Sequence, residues 1–432
     1  MEAAGKAARI VRTVIETLKP GFAVRLWTGE RIGPATGPVL TINDQDIVWQ
    51  VVKRPSLSTL IEMWISKTID IEDGTIFDFY ALPSQGKLRT KIKSLPKLAI
   101  LRDLPAVLLS RKQMSARTDL SGRNPYVSGS SQEAIQHHYD ISNAFYRLFL
   151  DERMVYSCGY FKDFANGIDQ AQADKLDHIC RKLRLKPGER LLDIGCGWGG
   201  LIMHAAKHYG VDATGITLSE NQATLAKERI EAAGLGNRCR VAIRDYRTLN
   251  EGDGYDKISS VGMIEHVGAS HLSVYFASAF RALTPGGLFM NHGIVSLSEP
   301  RPRPLGERIF RKFWRADAFI DTYVFPDGKL TGAHDVIAAA EGAGFEVRDV
   351  ESLREHYALT LRAWVGRLTR AHERAVALTN ERIVRIWRLY MTASAYGFAH
   401  GRINVLQTLL AKQDTHGRVE LPMTREDLLA TD

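Results

Sequence analysis

In the stretch LLDIGCGWGG (191–200), an acid, Asp193, stands near the end of an apolar run, and four of the six residues 195–200 are glycine. Glycines so placed let a ligand meet bare backbone just past a strand end. From Gly195 the spacing is GxGxGG, not the GxGxxG of dinucleotide sites, and a glycine turn alone is a weak signal. A dinucleotide site also wants an acid at the next strand's end to hold ribose hydroxyls. That position reads Thr217, Leu218, Ser219, with Gln222 following. The third strand ends in Asp245, placed to accept from a donor on an adenine ring. With no pyrophosphate to grip, the pattern points to S-adenosylmethionine, with Asp193 ordering the turn or meeting the amino-acid moiety. A helix cap with no ligand is the plainer alternative.

Other residues carry chemistry of their own. Glu265 follows the apolar run SVGMI (260–264) at a strand's C-terminal end, where open α/β sheets bind ligands. His292 ends another such run. Cys158, taken singly, reads as a small buried apolar group rather than a nucleophile. The four cysteines (158, 180, 196, 239) show neither CxxC nor zinc-ligand spacing, and the pair His137–His138 lacks further ligands, so no metal site is expected.

These residues need a scaffold. From 170 onward strands and helices alternate, the mark of a doubly wound α/β sheet. Strands are expected at 190–195, 211–218, 239–245, 255–264, 287–295 and 345–353, with helices starting near 199, 220 and 271 and long helices over 355–397. INVLQTLLAK (403–412) fits a final strand or a helix. Before this lies a smaller α/β unit, with a helix at 10–18, strands at 22–27, 38–44 and 46–52, and a helix at 56–69. A Gly/Ser/Pro/Asn stretch at 121–131 reads as a linker. The expected organisation is an N-terminal domain at 1–120, a linker at 121–136 and a catalytic domain at 137–432.

The chain has 432 residues and a formal net charge of +8. Between Lys87 and Arg117 stand nine Lys/Arg against one acid, Asp103, so this segment carries the whole excess. A second basic stretch, 301–315, mixes six Arg/Lys with Phe310, Phe313 and Trp314. Such patches suit an anionic membrane surface, nucleic acid or an acidic partner, or are merely solvated. No nucleic-acid recognition motif accompanies them. The N-terminus lacks the apolar core of a signal peptide, and no apolar run approaches the ~20 residues of a membrane span. The expected location is the cytoplasm, with peripheral membrane contact.

LLDIGCGWGG, GITLSENQ (215–222), VGMIEHVG (261–268) and HHYDISNAFYRLFLDERMVYSCGYF (137–161) together resemble the cyclopropane fatty acid synthases. The resemblance runs from about 137 to the end; the region before 120 is more loosely similar to the N-terminal domain of the bacterial phospholipid enzymes. It implies a Rossmann-like class I methyltransferase fold. The implied reaction methylates the double bond of an unsaturated fatty acyl chain of a membrane phospholipid and closes a cyclopropane ring. Cofactor contacts are implied for Tyr156, Ser157, Asp193, Gly195, Gly197, Thr217, Leu218, Gln222, Asp245 and Tyr246. Trp198 would line the methionine end, and His137, His138 and Tyr139 would open a lid helix.

Ring closure requires a base that does not trap the cation formed on the alkene. The resemblance implies a bound bicarbonate, held by Cys158, Glu265, His292, Ile294 and Tyr357. His and Tyr can donate to the anion, as can the amides of Cys158 and Ile294, while Glu265 accepts from its hydroxyl. Two competing readings stay open. One ends the reaction in a methyl or methylene branch; the other methylates a small amine, which would not need Cys158, His292 and Tyr357 together. A non-catalytic lipid binder would have no use for the cofactor motifs. A dimer would suit two-point membrane attachment.

Overall fold

The computed structural model describes residues 2–54, 56–80, 94–109, 142–297 and 330–429. Residues 87–93 and 110–117 of the basic segment, the linker, residues 137–139 and the stretch 301–315 lie outside the described residues. Contacts divide the chain into two compact units.

The first unit holds a four-stranded sheet in the order β2-β1-β3-β4, formed by β1 (Ala23–Arg25), β2 (Arg31–Ile32), β3 (Val39–Ile42) and β4 (Ile69–Glu72). Helices Glu2–Leu18, Leu57–Ile65 and Lys97–Leu109 belong to it. Residues 46–52, expected as a strand, instead form the helix Ile47–Lys53. Asp44 starts it by accepting the Asp46 N–H at 2.9 Å. Ile47, Val48 and Val51 then meet the core at i, i+1 and i+4. β-branching suggested extension, and tertiary burial overrode it.

Residues 380–396, within the stretch expected to be catalytic, group with this first unit. They begin the helix Glu381–Ala399, whose Arg385 is 2% exposed. The Arg385 guanidinium donates to the Trp64 carbonyl (2.9 Å), Asp70 (2.6 Å) and Glu381 (2.6 Å), and lies 4.5 Å from the Trp64 ring centroid.

The second unit is built on a seven-stranded sheet, β10-β11-β9-β8-β5-β6-β7. Its strands are β5 (Arg190–Ile194), β6 (Asp212–Thr217), β7 (Cys239–Ile243), β8 (Tyr255–Val261), β9 (Leu283–Ser296), β10 (Glu346–Ser352) and β11 (Ile403–Ala411). Only β11 runs antiparallel to its neighbours, and it settles 403–412 as a strand. Both faces are covered, as parallel sheets require. Leu191, Met290 and Leu409 pack on one face with helices Ile168–Lys182 and Gly200–Tyr209. Leu192, Phe289 and Leu410 pack on the other with helix Leu272–Ala282. Order reverses at β5, between β6 and β8, so a crevice opens at the carboxyl ends of β5 and β8.

Candidate active site

The glycine turn leaves β5 into that crevice. Gly195, Gly197 and Gly199 all have positive φ (80°, 54°, 80°), a region that L side chains avoid. The Gly195 and Cys196 amides both donate to the Ile216 carbonyl (2.9 and 3.0 Å), which pins the turn to β6. A Cβ on Gly195 would lie 2.4 Å from the Met263 side chain, whereas one on Gly197 would meet nothing within 4 Å. Gly197 therefore marks where a ligand can approach the backbone, and the turn fits S-adenosylmethionine on that ground. Asp193 is buried beneath it and accepts from the Ser259 hydroxyl at 2.7 Å. Burial pushes its pKa up to about 6, against the Ser259 hydrogen bond and the nearby Lys175. Of its two expected roles, this position suits ordering the turn.

Beyond β6, Thr217 Oγ1 donates to Gln222 Oε1 (3.0 Å), and Ser219 caps the helix Glu220–Ala232 by accepting the Gln222 amide. Leu218 between them is half-buried. Asp245 was expected to offer a carboxylate to the adenine. Instead Arg247 grips both its oxygens, with Nη2 at 2.5 Å, and holds the carboxyl below the usual range. The cause is local: Asp245 caps the turn Tyr246–Thr248, which carries the arginine back onto it. A ligand donor there must compete with an exposed guanidinium. Tyr246 is half-buried, edge-on to Tyr275.

Tyr156 sits among Tyr146, Phe149 and Trp364, with ring centroids 5.3 Å from Trp364. Ser157 is buried and accepts from Lys175 Nζ at 2.9 Å. The Trp198 indole N–H donates to Asn143 Oδ1, with its ring 5.0 Å from Tyr146.

The five remaining residues fall into two groups joined through the backbone. Glu265 lies in the short helix after β8, and its Oε1 accepts the Ile294 N–H at 2.7 Å. The Ile294 amide, expected to face an anion, donates here to the carboxylate beside it. Glu265 Oε2 is enclosed and has no partner among the described residues. Burial lifts the Glu265 pKa to about 7, despite the Ile294 hydrogen bond.

His292, two residues before Ile294 on β9, is buried. Its Nδ1 lies 3.3 Å from the Gln407 amide nitrogen of β11; with that nitrogen donating, the ring proton is on Nε2. Nε2 is also enclosed and unpartnered. Burial first, then Lys175 and Lys182, depress the His292 pKa to about 3, so the ring is a neutral donor.

Cys158 and Tyr357 meet at the Leu353 carbonyl, which accepts from the thiol (3.7 Å) and from the Tyr357 amide (3.1 Å). Leu353 in turn donates to the Val405 carbonyl, and Val405 stands opposite Ile294 in the β9–β11 ladder. Burial pushes the Cys158 thiol far above its ordinary range, so it is no thiolate. Tyr357 lies against Phe398 (4.6 Å) and Trp364 (6.3 Å).

Sequence reasoning missed Lys175, Ser259 and Gln407. Lys175 is wholly buried; burial lowers its pKa to about 8 while Asp151 and others oppose the fall. A lysine and a glutamine inside apolar helix and strand faces were the only signals available.

The parallel sheet, the positive-φ glycine turn and the enclosed acid at the switch point define a class I S-adenosylmethionine-dependent methyltransferase. Residues 128–408 match the family model described as mycolic acid cyclopropane synthetase, and the chain belongs to that family. A probable fatty acid methyltransferase of Pseudomonas putida is 40% identical over 418 residues, 96% of this chain and 98% of that protein. The cyclopropane-fatty-acyl-phospholipid synthase of Escherichia coli K12 is 37% identical over 65% of this chain and 68% of its own length. The crystal structure of mycolic acid cyclopropane synthase CmaA1, complexed with SAH and CTAB, superimposes with a TM-score of 0.61 at 35% identity, covering 66% of this chain and 99% of that one. The protein is thus a methyltransferase of the cyclopropane synthase family that uses S-adenosylmethionine.

Proposed function

We propose that this enzyme adds the methyl carbon of S-adenosylmethionine to the double bond of an unsaturated acyl chain in a membrane phospholipid and closes a cyclopropane ring. The observation that carries the reading is the carboxylate of Glu265 at the switch point, whose Oε1 accepts the Ile294 N–H while the enclosed Oε2 has no partner among the described residues. An orphaned buried polar group costs about 1–3 kcal/mol, so a carboxylate left half-partnered at the switch point suits a ligand. The phospholipid rests on the 37% identity to the Escherichia coli enzyme of that name.

When bound, the cofactor supplies an electrophilic methyl group. Tyr156, Trp364 and Tyr357 exclude water around it, and their ring faces ease a developing cation by about 1–2 kcal/mol each. The thiol of Cys158 stays protonated and so does not trap that cation. A bicarbonate would supply a base of low nucleophilicity. The residues that would hold it are His292, as a neutral Nε2–H donor, and Glu265, as acceptor through Oε2. With a pKa near 7, Glu265 can also hold a proton there. The protein reaches its substrate from the cytoplasmic face of an anionic membrane; among the described residues no helix is long and apolar enough to cross one.

Mass spectrometry of unsaturated phospholipid vesicles incubated with enzyme and S-adenosylmethionine tests the reading. A gain of one CH₂ unit supports it, and unchanged lipid alongside turnover of small amines overturns it. Purging carbon dioxide should slow the reaction and added bicarbonate should restore it. A methyl- or methylene-branched product is the second reading, favoured by the Pseudomonas putida relative. Proton NMR separates the two, because only a ring gives strongly shielded CH₂ protons.

A further inference from the structure

We propose that Arg147, Arg367, Arg370 and Arg374 form a binding site for the phosphodiester of the lipid substrate. They line one open groove with Leu148, Leu150 and Ala371. The inference rests on the phospholipid reading above and adds where the headgroup is held.

Residues 367, 370, 371 and 374 follow i, i+3, i+4 and i+7 spacing, one face that continues from the helix Arg354–Arg370 into His372–Leu378. Arg367 is anchored: its guanidinium donates to the Leu150 carbonyl (2.7 Å) and to Asp169. The other three arginines are exposed. Among the described residues no carboxylate pairs with them. Arg370 stands in the last turn of its helix, where a cation is favourable against the helix dipole. Arg374 stands near the N-terminal end of the next helix, where a cation is unfavourable, so capping does not explain it. Three exposed arginines with no paired carboxylate among the described residues suit an oxyanion, and guanidinium forks match the oxygens of phosphate.

The groove also lies at a suitable distance. The helix Arg354–Arg370 carries Tyr357, then Trp364, then Arg367 and Arg370. Trp364 packs on Phe149, whose neighbour Leu150 lines the groove. At 1.5 Å per residue, Arg367 and Arg370 lie about 15–20 Å along the helix from Tyr357. In a bilayer the hydrocarbon of one leaflet is about 15 Å deep beneath a headgroup layer of roughly 5–7 Å. A double bond near mid-chain is therefore roughly 12–15 Å from the phosphate, the same order. One aromatic and leucine wall thus joins the arginines to the reacting end of the helix.

The test compares wild type with the double variant R370E/R374E on two lipids. Dioleoylphosphatidylcholine vesicles carry the phosphodiester without net surface charge; monoolein in neutral detergent carries the same chain without phosphate. We expect kcat/KM on the phospholipid to fall at least tenfold, mainly through KM, with monoolein turnover within twofold. Equal losses on both lipids would mean structural damage, and no loss on the phospholipid would mean the groove does not hold it; either overturns the proposal. So would retained phospholipid turnover with lost turnover of an acyl chain on an acidic carrier protein. Calorimetry with soluble glycerophosphocholine and with inorganic phosphate forms the second arm. Diester binding abolished in the variant supports the site, and binding of inorganic phosphate alone overturns it. If wild type alkylates neither lipid, the functional reading fails, and the calorimetric arm still decides the groove.

Discussion

Arg385 in the first unit and His292 in the second are buried, and Glu265 encloses one carboxylate oxygen, yet these groups are treated in opposite ways. The Arg385 guanidinium has acids, carbonyls and an aromatic face around it. Glu265 and His292 are each held by one side and left unpartnered on the other. Saturated burial contributes to folding. Half-saturated burial sacrifices stability and keeps a directed donor or acceptor ready for a ligand.

The largest expected effect breaks the saturated side. Arg385→Met strands Asp70 and Glu381 and should cost about 3–5 kcal/mol in urea denaturation. Below pH 4.5, where Glu265 is protonated, Glu265→Gln should change stability by less than about 1 kcal/mol, because an amide oxygen still accepts the Ile294 N–H. Equal losses would erase the distinction.

Next come the glycines. Gly197→Ala forces a left-handed alanine at about 1–2 kcal/mol, with no protein atom in its way. Cofactor affinity should fall at least tenfold by calorimetry. Gly195→Ala should lose affinity similarly and more stability, because its methyl meets Met263.

The pH dependence of stability sharpens the contrast. Folding raises the Glu265 pKa from 4.5 to about 7. Its contribution is therefore full below pH 4.5 and is lost as pH rises to about 7. Folding lowers the His292 pKa from 6.5 to about 3, so its contribution is present above pH 6.5 and is lost as pH falls toward 3. Urea midpoints measured against pH should lose the first slope in Glu265→Gln and the second in His292→Gln. Ser259→Ala should cost about 1–2 kcal/mol, with the Asp193 pKa rising above about 6.

Local pattern carried much of this architecture. The strand run from β5 to β10, the glycine turn and Glu265 at a strand end were legible because each depends on a few consecutive residues. The helix Ile47–Lys53 was misread because four β-branched residues outweighed a burial spacing that was also present. β11 stayed ambiguous because a continuous apolar run fits a buried strand or a helix. Pairings set by tertiary register were out of reach: Gln407 to His292 spans 115 positions and Trp64 to Arg385 spans 321. The Asp245–Arg247 fork shows the opposite failure, a contact two residues apart that a ligand-centred reading overlooked.

The central claim is that Glu265 serves the chemistry and not the fold or the cofactor. Measuring S-adenosylmethionine affinity and lipid product on one preparation of Glu265→Gln tests it most directly. The account predicts affinity within twofold of wild type and product reduced by about 10³-fold or more. Retained product, or affinity lost in step with product, would contradict it.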